Sequence, residues 1–251
     1  MNVDALTAAL NDFVTTHKTT FSEISSRQSQ LLELAAVVAV HEHYRSNDYI
    51  TTVVGAVQGT FVVKTSTRGH PSKYSRIVVE KDGTAAEIHM NLLVRGAHDE
   101  GIYCVDVAIV TAGSVPVMVD RGQKWRCVEN ESLITFAEVK RLVVYPMLLA
   151  QFIGIVHEIK PRFLQSPAPD GFGRDRHLPP TLMALGHFSG NSAAIVRSYP
   201  GRSILICMAE NIDMRIAAYR QGTCRSPLYW DADIIDAPTV LAGALPDMTA
   251  G

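Results

Sequence analysis

The sequence predicts an α/β fold, and three stretches with different hydrophobic periods support this prediction. Residues 22–46 repeat apolar side chains every three or four positions, as an amphipathic helix does. Residues 49–140 are mainly rich in β-branched and aromatic side chains, with glycine or polar residues at the breaks. The helical period returns over residues 143–159. At 251 residues the chain is near the upper limit of one hydrophobic core, so we expect one domain.

The central stretch divides into short segments that alternate with turn-forming residues. The composition of residues 95–101 is typical of a turn, so the segments on either side of it should form a β-hairpin. Residues 102–110 are apolar on both faces, apart from Asp106, which describes a central strand. The predicted strands are residues 49–54, 61–63, 76–79, 86–94, 102–110 and 133–140.

The last third of the chain is less regular. The helix that begins near Val143 carries Pro146 in its first turn and should end before Pro161. Residues 165–180 are polar and rich in proline and glycine, which predicts a long loop. A short helix at 191–198, a strand at 203–209, a helix at 211–220 and an irregular tail at 224–251 complete the prediction, with a core at about 22–220.

Composition excludes several classes of protein. A net charge of −2 argues against a protein that coats nucleic acid by bulk electrostatics, although it does not exclude a nuclease. The four cysteines lie far apart, so we expect neither a zinc ribbon nor a disulfide framework, but a reducing cytoplasm. The amino-terminal residues lack a signal-peptide pattern, and no long uncharged apolar run is present. We therefore expect a cytoplasmic protein that does not span a membrane.

Three charged residues in apolar strands carry most of the functional signal. Asp106 interrupts one run, and Glu138 and Lys140 end another. Side chains two apart in a strand point to the same face, so Glu138 and Lys140 project together. If their strand pairs beside residues 102–110, Asp106 completes a two-carboxylate pocket for a hard ion such as Mg²⁺ or Mn²⁺. A lysine beside such an ion can orient the attacking water.

The order of helix, hairpin with Asp106, strand ending in Glu138 and Lys140, then helix resembles the PD-(D/E)xK nuclease superfamily. The resemblance covers roughly residues 25–160, with residues 203–209 as a final core strand. It implies a restriction-endonuclease-like mixed central sheet flanked by helices, with a C-terminal elaboration in a single domain. It also implies Mg²⁺-dependent hydrolysis of phosphodiester bonds, more often in DNA. Val105 stands where the superfamily often has proline, and the spacing implies an inserted turn around residues 120–124.

The resemblance also implies further site residues. The first helix of the superfamily often supplies an acidic metal ligand, which Glu33 matches, with Glu42 as the second choice. Gln151 matches a functional glutamine found on the following helix in some branches. The implied metal ligands are thus Asp106, Glu138 and Glu33, with Lys140 and Gln151 assisting catalysis.

Two basic segments are candidates for phosphate contacts. One lies between predicted strands and the other in the long loop. Such basic runs are usually just solvated, but beside an active site they are candidates for contacts with the phosphate backbone. The candidates are Lys64, Arg68, Lys73, Arg76, Arg174 and Arg176, with His70, Lys81 and His177 nearby.

Other interpretations remain open at this point. Asp106 could pair locally while Glu138 and Lys140 end an exposed strand. The fold could also serve as a non-catalytic subunit that binds nucleic acid or a protein. A partner helicase, ATPase or sensor in a bacterial defence complex would suit either function, and a homodimer would suit cleavage of two strands. The His41-Glu42-His43 run lacks metal-ligand spacing, and Ser189 is better explained as a helix N-cap.

Overall fold

A computed structural model gives the fold of the chain. The structure describes residues 3–17, 28–55, 57, 60–117, 124–140, 143–172, 176–184, 188–202, 204, 207–210 and 233–236. Within this part of the chain, none of the helices is both long and apolar enough to cross a membrane.

In the part of the chain that the structure describes, eight strands form one sheet in sequence order, and the last three have four residues each. Strands β1 to β5 are antiparallel neighbours, β6 and β7 run parallel to β5, and β8 is antiparallel to β7. The predicted α/β fold with a mixed sheet is therefore confirmed. The strands are β1 (Ile50–Val54), β2 (Arg76–Lys81), β3 (Thr84–Arg95), β4 (Ile102–Thr111), β5 (Leu133–Lys140), β6 (Thr181–Ala184), β7 (Cys207–Glu210) and β8 (Asp233–Asp236).

Among the described residues, four α-helices cover the two faces of this sheet. They are α1 (Val3–Thr16), α2 (Gln28–Ser46), α3 (Pro146–Ile159) and α4 (Gly190–Ser198). Val107 and Ile109 of β4 pack in one hydrophobic cluster with α1 and α2, whereas Ala108 and Val110 pack in the other with α3 and α4. Adjacent strand residues point to opposite faces, so the two helix pairs lie on opposite sides of the sheet. A covered sheet of this kind explains why β4 is apolar on both faces.

Most predicted elements are present, and the exceptions have physical reasons. The strand predicted at 61–63 is wrong: Val62 instead exchanges hydrogen bonds with Ser75, whose Oγ accepts from the Val62 amide and whose amide donates to the Val62 carbonyl. Helix α1 and strand β6 were not predicted, and β8 lies in a tail predicted to be irregular. Ser189 occupies the N-cap of α4, as expected. The helix predicted at 211–220 lies outside the described residues, and so does the inserted turn predicted around 120–124 except for its last residue.

Candidate functional site

Strands β4 and β5 separate at Asp106. Their ladder runs from Val110 and Leu133 to Val107 and Ala137, and beyond that point β5 pairs with β6. Asp106 is the first residue of β4 past the end of the ladder, and its Oδ2 accepts a hydrogen bond of 2.7 Å from the Val139 amide. A side-chain carboxylate thus replaces a backbone acceptor where the two strands part.

The structure brings Asp106, Glu138 and Lys140 together at this opening. The Lys140 ammonium donates to Glu138 Oε2 at 2.6 Å and to Asp106 Oδ2 at 3.2 Å. The two carboxylate oxygens share one nitrogen neighbour and are therefore close to each other. Glu138 and Lys140 lie two positions apart on β5, so their side chains point to the same face of the strand, as its period predicts.

Glu138 is held in an unusual electrostatic environment. Its side chain is buried, and Oε1 has no hydrogen-bond partner among the residues that the structure describes. Burial raises the pKa of Glu138 to about 7, and the charge of Asp106 adds to this rise, while Lys140 opposes it. Burial acts to lower the pKa of Lys140, but the two carboxylates outweigh it and the pKa rises. The lysine therefore stays charged, while the glutamate binds a proton easily.

Glu33 lies at the same opening. Burial raises its pKa, a hydrogen bond from Asn91 opposes this rise, and the charges of Asp106 and Lys140 also act on it. That hydrogen bond joins Asn91 Nδ2 to Glu33 Oε2 at 2.8 Å. Helix α2 thus brings the Glu33 carboxylate within range of the charges of Asp106 and Lys140. Its role as a metal ligand stays a prediction.

Cys104 is a further buried group beside this opening. Burial raises the pKa of its thiol to about 11, Lys64 opposes the rise, and the charges of Asp106, Glu138 and Glu33 add to it. All three carboxylates therefore act on one sulfur atom. Cys104 precedes Asp106 by two positions on β4, beside the point where the ladder ends.

The donor atoms suit a hard cation, although they are not gathered around one point. Among the described residues, no three His, Cys, Asp or Glu side chains converge closely enough to hold a metal ion. The Lys140 ammonium lies between two of the predicted ligands and bonds to both. The unpartnered, buried Oε1 of Glu138 is nevertheless an oxygen donor of the kind that Mg²⁺ and Mn²⁺ prefer. Asp106 and Glu138 are the two carboxylates that the structure brings closest together, because both bond to the Lys140 ammonium.

No family model, no curated protein and no solved structure matches the chain. What the site can do therefore follows from its own geometry and chemistry.

Several predicted residues lie elsewhere. Gln151 is exposed on α3, outside the buried face of that helix. Glu42 pairs with Arg45 at 2.8 Å on α2. Neither residue contacts Asp106, Glu138 or Lys140 through a hydrogen bond or an ion pair in the described part of the chain.

The predicted phosphate contacts differ in exposure. Arg68, Lys73 and Arg176 are exposed, so they are available to a phosphate backbone. Arg76 is bonded to Glu87 at 3.1 Å. Lys64 is only 3% exposed and bonds inward to backbone carbonyls. Arg174 lies outside the described residues.

Sequence reasoning did not select Asn91 or Cys104 as part of this site, and it selected Lys64 only as a contact to phosphate. Asn91 did carry a signal, because asparagine is depleted in strands and this one interrupts the apolar run of β3. Asparagine is also enriched where φ is positive, and Asn91 has φ 47°.

Proposed function

We propose that the chain is a metal-dependent nuclease that hydrolyses phosphodiester bonds, with DNA as the preferred substrate. The observation that carries this proposal is the arrangement at the end of the β4–β5 ladder. There a buried glutamate with an unpartnered oxygen, an aspartate and a charged lysine meet in one opening. Buried charges that are not fully paired are costly, and such groups concentrate at functional sites.

Each residue has a role in this proposal. To hold Mg²⁺ or Mn²⁺, Asp106, Glu138 and Glu33 would have to move closer together, because no three such side chains of the described residues converge in the structure. The bound ion would supply a Lewis acid and a more acidic bound water. Lys140 stays protonated beside two carboxylates, so it would donate hydrogen bonds and offset negative charge on the phosphate. Arg68, Lys73 and Arg176 would contact the nucleic-acid backbone, since they are exposed.

A second candidate function is a non-catalytic subunit that binds nucleic acid or a protein partner, such as an ATPase, a helicase or a sensor of a defence complex. One observation favours it: Lys140 already bonds both Asp106 and Glu138, as in an internally neutralised structural ion pair. In that case the lysine stabilises the separated strands and no cation is required.

Cleavage assays separate the two functions. Purified protein is incubated with supercoiled plasmid, linear duplex and single-stranded DNA, in Mn²⁺, Mg²⁺ or EDTA. We expect cleavage with metal only, and a loss of about 10³-fold or more in Asp106→Asn and in Lys140→Ala, because each removes a group that acts at the reacting phosphate. Glu129→Gln is the matched control, since Glu129 is an exposed carboxylate that pairs with Arg95.

Two outcomes would reject the nuclease proposal. One is wild-type protein that neither cleaves DNA nor binds Mn²⁺ in a calorimetric titration, which favours the subunit. The other is cleavage that persists at the wild-type rate in Asp106→Asn, which places the chemistry elsewhere.

A further inference from the structure

The rings of His70 and Trp125 are in contact beside strand β3. Their centroids are 5.5 Å apart, and the ring planes are inclined at 64°. His70 is 4% exposed, whereas Trp125 is only partly buried, so the pair lies just beneath the surface. The Val128 amide donates to the Leu93 carbonyl, and the Arg95 amide donates to the Val128 carbonyl. These bonds fix the segment that carries Trp125 along the edge of β3 that does not face β4.

Each of these two rings carries an N–H group without an acceptor. His70 Nδ1 accepts from the Ser72 amide at 3.3 Å, so the proton of the neutral ring is on Nε2. Burial lowers the pKa of His70, and the nearby charge of Lys73 adds to this effect, which keeps the ring neutral. His70 Nε2 and Trp125 Nε1 are both screened from water, and no described residue bonds to either nitrogen. Two buried donors without an acceptor are unfavourable, which indicates that a bound group supplies the missing oxygen atoms.

Basic side chains flank both rings in the sequence. Four of them are exposed, and none of the four forms an ion pair within the described ranges: Arg68, Lys73, Lys124 and Arg126. Their charges attract an acceptor that is itself negative, such as a phosphate oxygen. The carbonyl of a neutral peptide would also accept from the two N–H groups, but it would gain nothing from the four cations.

A short series of contacts joins this pair to the opening at Asp106. His70 is the N-cap of a 3₁₀ turn that ends at Tyr74. Lys64 Nζ lies 5.8 Å from the centre of the Tyr74 ring and donates to the Asn91 carbonyl at 2.6 Å. Asn91 on β3 stands across from Asp106 on β4 in the register of the two strands. Only these contacts separate the two rings from the opening.

We propose that His70 and Trp125 form a phosphate site for a single strand of DNA, in which both N–H groups donate to phosphate oxygens. An aromatic ring between two cations, as in Lys124-Trp125-Arg126, is typical of surfaces that bind single strands. This inference rests on the proposed function, because it takes nucleic acid as the substrate and names a contact outside the opening. It does not depend on a bound metal ion.

Binding of a fluorescein-labelled single-stranded oligonucleotide, measured by anisotropy in EDTA, tests this site. In His70→Asn the side-chain oxygen still accepts from the Ser72 amide but the Nε2 donor is lost, so we expect binding to weaken by about 10-fold. His70→Gln keeps an N–H donor near the same position and should bind within about threefold of wild type. His157→Asn is the matched control, since His157 is exposed on α3. Circular dichroism and Tm check that each variant is folded.

The salt dependence of binding separates a contact with the strand from a change in the fold. Lys73→Ala removes a charge, so the slope of log K against log salt should become shallower by about 0.7. His70→Asn and Trp125→Phe each remove a neutral donor and should weaken binding with the slope unchanged. If His70→Asn does not fold, Trp125→Phe decides the result. Binding as tight as that of wild type in the folded donor variants, or no binding by wild type, overturns the site.

Inorganic phosphate distinguishes a DNA strand from a free anion as the ligand. We expect phosphate to displace the oligonucleotide no better than chloride at the same ionic strength, because a single phosphate lacks the other contacts of the strand. Specific displacement by phosphate would assign the site to the free anion and overturn the strand. Cleavage of DNA by wild type with unchanged binding in the donor variants rejects this site alone. Binding that depends on His70 without any cleavage in Mn²⁺ rejects the nuclease and keeps the site, so the two failures are distinguishable.

Discussion

Glu87 and Glu138 are two buried glutamates in one sheet whose pKa values are shifted in opposite directions. Glu87 on β3 has partners on both oxygens. Its Oε1 accepts from Arg76 Nε at 3.1 Å and from the Gly113 amide at 3.4 Å, and its Oε2 contacts His89 Nε2 at 2.9 Å. Burial acts to raise the pKa of Glu87, but His89 and Arg76 outweigh it and the pKa falls below its ordinary value.

Glu138 on β5 is just as buried but only half satisfied. Lys140 contacts Oε2, Oε1 has no partner in the described residues, and Asp106 adds a like charge. The pKa of Glu138 consequently rises to about 7. The comparison teaches that burial of a carboxylate does not by itself indicate function. The incomplete set of partners distinguishes Glu138, because structural carboxylates are normally satisfied.

The largest expected effect comes from exchanging each glutamate for glutamine. Glu87→Gln removes the charge that compensates Arg76 and an oxygen that accepts hydrogen bonds inside the sheet, so we expect the free energy of unfolding at pH 8 to fall by about 2–4 kcal/mol. Glu138→Gln removes a buried charge that repels Asp106, so the variant should be at least as stable as wild type. Urea denaturation followed by circular dichroism measures both changes.

Glu129→Gln again serves as the control, and its unfolding free energy should change by less than about 1 kcal/mol, because the Arg95 pair is partly exposed. A loss of stability in Glu138→Gln equal to that in Glu87→Gln would contradict the contrast. It would mean that Glu138 is a structural group like Glu87.

The contributions of Glu138 and Glu87 to the free energy of unfolding should change in opposite directions with pH. The ordinary pKa of Glu138 is 4.5 and its folded value is about 7. The folded protein therefore binds this proton more tightly, and the contribution of Glu138 to stability is full below pH 4.5 and is lost as pH rises to about 7. Glu87 behaves oppositely: its contribution is full above its ordinary pKa and is lost as pH falls through the lowered folded pKa.

Wild type and Glu138→Gln should thus be similar in stability near pH 5. By pH 8 the variant should be the more stable protein, by on the order of 2 kcal/mol. Denaturation curves at a series of pH values measure this difference. A gap that stays constant from pH 5 to pH 8 would show that the pKa of Glu138 is not raised in the folded protein.

Sequence periodicity predicted the strands that matter most for the site, and the reason is visible in β4 and β5. Their apolar runs are long enough to specify a covered strand, so Asp106 and Glu138 stood out as exceptions. Strand β6 was missed because only four residues, following two prolines, form it, and pairing with β5 rather than local propensity stabilises it. Local pattern cannot show such pairing.

The supporting residues of the site were less predictable for a different reason. Lys64 lies in a basic segment, and composition does not show which of several cations turns inward to bond a carbonyl. Asn91 and Glu33 are far apart in sequence, so their hydrogen bond depends on how α2 packs on the sheet. Glu87 and His89 lie two positions apart on a strand, as Glu138 and Lys140 do. Nothing in the sequence shows that both oxygens of Glu87 have hydrogen-bond partners whereas one oxygen of Glu138 has none in the described residues.

The smallest expected effect is on the alkylation rate of the Cys104 thiol, which tests the same difference between Glu138 and Glu87. Its pKa of about 11 is two units above the ordinary 9.0, so alkylation by iodoacetamide at pH 8 should be roughly 10²-fold slower than that of an unperturbed thiol. Glu138→Gln removes one of the charges that raise this pKa, so alkylation should accelerate by about twofold. Glu87→Gln should not change the rate, since Glu87 is not among the charges that act on Cys104.

Peptide-resolved mass spectrometry measures this rate, with Cys127 as the internal reference. Burial raises the pKa of Cys127 as well, but the charges that act on it are those of Arg95, Glu129, Glu100 and Arg126 rather than Glu138. A global loosening of the fold would therefore accelerate both thiols, whereas a change of charge at the opening accelerates Cys104 alone. If Glu138→Gln leaves the ratio of the two rates unchanged, the charge of Glu138 does not affect the pKa of Cys104. That result would contradict the inference that the three carboxylates lie close to this sulfur.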